Sequence, residues 1–212
     1  RFYRRVMDSH PLELMDTATR RALAAMLKAG LLGDKRWVTD SEWKSVSPLT
    51  PHPSPLQPDF RHLFIYAEQE GVLDIVVRGI GVLGISIPDD LAIPSQVTPS
   101  DIYLPENYTM PVAMSGASVT VLLRDIEQNG VTLLRLTELM RALYSDSLDE
   151  EALMGQIEAA KQKPLFQAVL QLLAEQTLLT EGFMPCQPLD NTDTQQLRWQ
   201  LENHLNLLTP NS

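Results

Sequence analysis

One cysteine, four histidines and 17 basic residues against 27 acidic ones leave little for several kinds of chemistry. Cys186 stands alone, which excludes an internal disulfide framework and fits a reducing cytoplasm, the expected compartment. His10, His52, His62 and His204 are scattered, and no pair sits at ligand spacing, so no metal site is expected. A formal charge of −10 disfavours nucleic acid as a partner, because phosphate binding needs clustered Lys and Arg. No apolar run reaches the roughly 18 residues that a membrane span needs, and no signal peptide is seen, so no membrane partner is expected. The first residue is Arg1, as expected of a domain cut from a longer protein or of a chain missing its first residues.

What is present is ample for a core. At 212 residues and 44% hydrophobic, the chain has the length of one large domain or two small ones. It is organised around residues 131–184, where three amphipathic helical patterns follow one another. Leu133, Leu136, Met140 and Leu143 stripe the first. Ser147 and Glu150 have the spacing of a capping box for the second, which buries Leu153 and Ile157. Pro164 starts the third, with Phe166, Val169, Leu170 and Leu173 inward. Residues 178–184, turning at Glu181-Gly182, stand where a wing would be. The outline is a helix-turn-helix or winged-helix unit. From Pro164 onward its third helix has no Lys or Arg. Residues 131–184 carry four basic residues (Arg135, Arg141, Lys161, Lys163) against eight acidic ones, so a protein-binding or structural unit is expected rather than a reader of DNA.

Before that block, Ser9 and Pro11 open a helix with Leu12, Met15, Ala18, Ala22, Met26 and Ala29 on one face and Gly30 as its C-cap. Thr39 or Asp40 caps a short helix carrying Trp43. Five prolines break any helix within 47–58, which reads as a linker. Phe60, Leu63, Phe64 and Ala67 share a helical face, whereas residues 72–78 are β-branched and read as a strand. Residues 88–114 read as an irregular, proline-rich excursion. A helix over 118–128 turns Val121, Leu122 and Ile126 inward and ends at Asn129-Gly130. A last helix, capped by Asn191 or Thr192, carries Leu197, Leu201, Leu205 and Leu208 on one stripe. The expected fold is α+β, mostly helical and in two lobes. Its parts are an N-terminal helical segment (1–46), the linker (47–58), a mixed strand and loop region (59–115) and a winged-helix-like lobe (116–212).

The motif with the most chemical content is Gly79, Gly81 and Gly84, a literal G-x-G-x-x-G behind the expected strand and the candidate cofactor-binding residues. In a dinucleotide site such glycines allow a tight turn and close approach to pyrophosphate at a helix N-terminus. That motif must open a helix, yet Pro88 follows at once; a glycine-rich strand-turn-strand is the competing reading. A nucleotide-binding enzyme fragment is therefore the alternative function. Carboxylates pair at Asp89-Asp90, a candidate cation or acid/base site, and cluster at Asp149, Glu150 and Glu151. The cluster sits at a helix start, where the dipole favours negative charge. No catalytic set emerges, and no cofactor is otherwise expected.

Two stretches carry a resemblance. Tyr3-Arg4-Arg5 precedes a capped helix, and residues 164–179 (PLFQAVLQLLAEQTLL) precede a turn and a final helix. Together they resemble the regulatory region C-terminal to the catalytic domain of some bacterial class I methyltransferases. The resemblance implies a non-catalytic regulatory or protein-interaction domain, the accessory domain of a methyltransferase. Its partner would be another protein or a covalently linked catalytic domain, and no catalytic residue carries over.

Overall fold

Asp16 decides where the first described helix begins. In the computed structural model, which describes residues 15–39, 58–86 and 118–207 (side chains through 203), the Asp16 carboxylate accepts from the Thr19 N–H at 2.7 Å. The cap starts α1 at Thr17–Leu32, so the helix does not run through Met15 as the apolar spacing predicts. Its end also differs from expectation. Gly30 lies inside the helix, and Gly33, at φ 72°, is the left-handed cap whose N–H donates to the Ala29 carbonyl.

The described residues fall into two compact units, 15–39 with 58–86 and 202–207 in one and 118–201 in the other. Together they hold eight α-helices, two short 3-10 turns and no strand. The protein is thus mostly helical, and nothing described supplies the β part of the expected α+β class. The expected short helix around Trp43, most of the linker, the excursion at 88–114 and the Arg-rich start lie outside the described residues.

In the first unit, α2 (Phe60–Gln69) is capped by Asp59, which accepts from the His62 N–H. The Asp59 N–H in turn donates to Thr19 Oγ1 at 2.8 Å, tying the start of α2 to the start of α1. Leu63, Phe64 and Ala67 are buried, as their spacing predicts. The expected strand at 72–78 is instead the start of α3 (Leu73–Leu83). Val76, Gly79, Ile80 and Leu83 are its buried residues, a spacing of three and four that lays one stripe on α1. β-Branched preference is worth less than burying that stripe.

In the second unit, α4 (Val119–Asn129) turns Val119, Leu122, Leu123 and Ile126 inward, while Val121, expected inward, is 40% exposed. α5 (Leu133–Leu143) buries its predicted stripe, and so does α7 (Lys163–Glu175). α6 (Glu150–Ala159) buries Leu153 and Ile157, but its cap is not Ser147. Asp149 accepts from the Ala152 N–H at 2.9 Å, and Ser147 pairs with Ser145. The expected wing is a 3-10 turn, Glu181–Phe183, without a strand. Leu178 and Leu179 before it are buried, and the Phe183 ring packs 4.6 Å from that of Tyr144. Apolar contact holds this segment against the helices and leaves no free hairpin. α8 (Thr192–Leu207), which belongs to this unit through Leu201, is capped by Asn191, one of the two predicted caps, and buries Leu197 and Leu201.

Candidate functional site

The three glycines of the nucleotide-like motif do separate jobs. Gly79 and Gly81 sit within α3, and Gly84, at φ 64°, is its left-handed C-cap. A methyl carbon at Gly79 would lie 1.9 Å from the Met26 carbonyl oxygen, whereas one at Gly81 would meet nothing within 4 Å. Gly79 is therefore a helix-packing residue. The motif closes a helix instead of opening one, so it presents carbonyl groups and the negative end of the dipole where pyrophosphate needs N–H groups. Gly79, Gly81 and Gly84 do not form the cofactor cradle that their spacing predicts.

Polar groups are also buried in the first unit. The Tyr66 hydroxyl faces Glu70 near the end of α2, and both residues are almost wholly buried. Burial first, and the Glu70 carboxylate second, push the phenol well above its ordinary value of about 10. An unfolded chain releases this proton near pH 10 and the folded one only higher. The contribution to stability is thus complete below pH 10 and is lost as pH climbs through the folded value. Tyr66→Phe is expected to flatten the alkaline fall in Tm scanned from about pH 8 to about pH 11. Coincident alkaline limbs for the two proteins would show that Tyr66 titrates normally.

Cys186 is half-buried, and burial pushes its thiol up while Lys163 opposes. A raised thiol is a poor nucleophile at neutral pH. Lys163 itself bonds Glu158 at 2.8 Å. His62 is buried on α2, and the other three histidine side chains and Asp89-Asp90 lie outside the described residues. Among the described residues no three His, Cys, Asp or Glu side chains gather as a metal site would require.

Two features of the second unit face outward. The first is a groove of about 440 Å³ between the start of α4, the end of α5 and α6. It is lined by the apolar side chains of Val119, Ala142, Leu148, Ala152 and Leu153 and by the polar ones of Ser118, Arg141, Ser145, Ser147, Asp149 and Gln156. Most of these polar groups are engaged within the fold. Arg141 pairs with Glu138, Ser145 with Ser147, Ser118 with Thr120, and Asp149 with the Ala152 N–H. Asp149, Glu150 and Glu151 lie at the α6 start, where the dipole stabilises them, and with Asp146 they form an exposed acidic edge.

The second feature is apolar. Trp199 on α8 is 53% exposed, and Leu189 just before that helix is 47% exposed. Beside them α8 is tied to the end of α7. Arg198 makes two bonds to Glu175, at 3.0 and 2.6 Å, and reaches Asp190 at 3.4 Å. These bonds hold the Glu175 carboxyl below its usual range. Sequence reasoning missed Trp199, though a signal was there: it sits two residues from both Leu197 and Leu201 and so lies off their helical stripe. The groove has no comparable signal, because three separate helices supply it. No protein-family model, curated protein or solved structure matches this chain.

Proposed function

We propose that this chain is a non-catalytic regulatory or protein-interaction domain working in the cytoplasm. In this reading the chain has two lobes, and the C-terminal one is winged-helix-like, with the Glu181–Phe183 turn standing in place of a β-wing. Its partner is another protein or a catalytic domain linked to it. The resemblance of Tyr3-Arg4-Arg5 and of residues 164–179 to methyltransferase regulatory regions points to a methyltransferase as that partner.

The observation that carries the reading is Trp199. The indole is half in water on a helix whose other face is buried at Leu197 and Leu201 and which the Arg198–Glu175 pair ties to α7. Tryptophan is enriched among the few residues that dominate binding energy at protein interfaces. Charge supports a protein partner over a nucleic acid, since residues 118–201 carry six basic residues against twelve acidic ones, a net of −6.

The reading is tested by a photo-reactive amino acid placed at position 199, with position 127 on exposed α4 surface as control. One discrete protein adduct from 199 and none from 127 is expected in the native cell, and equal labelling at both sites sinks the proposal. A thermal-shift screen against nucleotides, methyl-donor cofactors and divalent metals should leave Tm unchanged. A cooperative rise with any of them would overturn the non-catalytic reading.

A further inference from the structure

We propose that Asn129-Gly130, at the corner between α4 and α5, is a spontaneous modification site: when the corner opens, the chain converts Asn129 to aspartate and isoaspartate without an enzyme. The pair is the only Asn-Gly in the sequence. Glycine makes the step easy, because no Cβ shields the attacking nitrogen and the backbone turns freely. The Gly130 nitrogen attacks Asn129 Cγ. An N–Cγ bond forms, the Cγ–Nδ2 bond breaks, and the amide hydrogen of Gly130 leaves with Nδ2 as ammonia. Water then opens the succinimide at either carbonyl, which gives aspartate or a backbone routed through the side chain. Nothing in this chemistry depends on the interaction-domain reading.

The folded corner holds the reacting atoms away from that path. Asn129 ends α4, and helical backbone there keeps the Gly130 nitrogen well out of the plane of Cα, Cβ and Cγ in which the ring must close. The Gly130 N–H donates to the Ile126 carbonyl at 2.9 Å. Asn129 Nδ2, the leaving group, donates to Asp125 Oδ1 at 2.6 Å. Arg135 ties the set together. Its Nε pairs with the other Asp125 oxygen, and its Nη1 donates to the Asn129 and Gly130 carbonyls at 3.4 and 3.2 Å. Asn129 is nonetheless exposed, so water reaches it, and the last turn of a helix is where local opening is least costly. The rate of modification is then the opening constant of this corner multiplied by the rate of the open peptide. The product cannot rebuild the corner. A carboxylate at position 129 no longer donates to Asp125 and repels it from one helical turn away. The extra backbone carbon of isoaspartate displaces the Gly130 N–H from Ile126.

The test follows the full chain in warm neutral buffer by peptide mapping. Mass spectrometry reads the change from amide to acid, and a protease that cuts before aspartate but not isoaspartate separates the products. The chain unfolded in urea is expected to convert at Asn129 more than about tenfold faster than the folded chain. Arg135→Gln should speed the folded chain by about tenfold, the loss of one charged hydrogen bond. A second measurement needs no variant. In the wild-type chain, below its unfolding transition, hydrogen exchange at the Gly130 N–H and conversion at Asn129 should change in proportion as urea is added. Failure of the unfolded chain to convert at Asn129, equal rates folded and unfolded, indifference of a folded Arg135→Gln variant, or exchange and conversion that diverge overturns the proposal.

Discussion

Gly79→Ala is expected to destabilise the protein by about 3 kcal/mol or more, at the upper end of what overpacking costs. The reason is the nature of the obstacle. The added carbon would lie 1.9 Å from the Met26 carbonyl oxygen and 2.6 Å from its carbonyl carbon, so it meets backbone that no rotamer change can move aside. The contact is reciprocal, since a Cβ at Gly30 would lie 2.0 Å from the Ile75 carbonyl oxygen. α1 and α3 therefore cross glycine to backbone, and Gly30→Ala should be comparably costly. Gly81→Ala is the informative contrast. It faces open space inside a helix and should stabilise by about 0.5–1 kcal/mol. Gly84→Ala, at φ 64° and uncrowded, should cost about 1–2 kcal/mol from left-handed strain alone. Urea denaturation of the four variants checks the order. A tolerated Gly79→Ala would mean that the helices do not cross as closely as described.

The same glycines mark the limit of what the sequence made legible. The spacing of Gly79, Gly81 and Gly84 matches a nucleotide motif, but what fills the space over Gly79 is the backbone of Met26, 53 residues earlier in the chain. No local pattern carries that information. The stripes of α5 and α7 were legible because large apolar residues at spacings of three and four leave few other ways to be buried. The cap of α6 was misread for a nearby reason. Ser147 and Glu150 have capping-box spacing, yet the Leu148 N–H donates to the Ser145 carbonyl in a turn of its own, so the helix starts only after Asp149. Of the two outward features, Trp199 went unread, although its place off the stripe of α8 was a signal. The groove left no such signal, since its lining comes from three helices and the turn between α5 and α6, which no local pattern brings together.

Phe166→Ala is expected to cost about 3–5 kcal/mol, the range for emptying an aromatic position in a core that relaxes only partly. Phe166 is fully buried on α7 and is among the largest fully buried side chains of the second unit. The size of this effect bears on function. A recognition helix must keep one face free to enter a groove, and on α7 the residues Phe166, Ala168, Val169, Leu170, Leu172 and Leu173 are all buried. α7 does keep a half-exposed stripe, Gln167, Gln171 and Ala174 between exposed Pro164 and Glu175, but that stripe has no Lys or Arg to meet phosphate. α7 packs its buried residues against α4 and α6, and Glu175 at its end ties it to α8 through Arg198. Trp199→Ala makes the contrasting prediction. It removes a side chain that is only half covered, so stability should fall by about 1–2 kcal/mol, well short of the loss at Phe166. Unfolding in urea measures both. A large loss at Phe166 with a much smaller one at Trp199 separates the residue that builds the unit from the residue it presents. If instead Phe166→Ala were mild and Trp199→Ala severe, α8 would be the core helix, and the interface assigned to its outer face would have to be withdrawn.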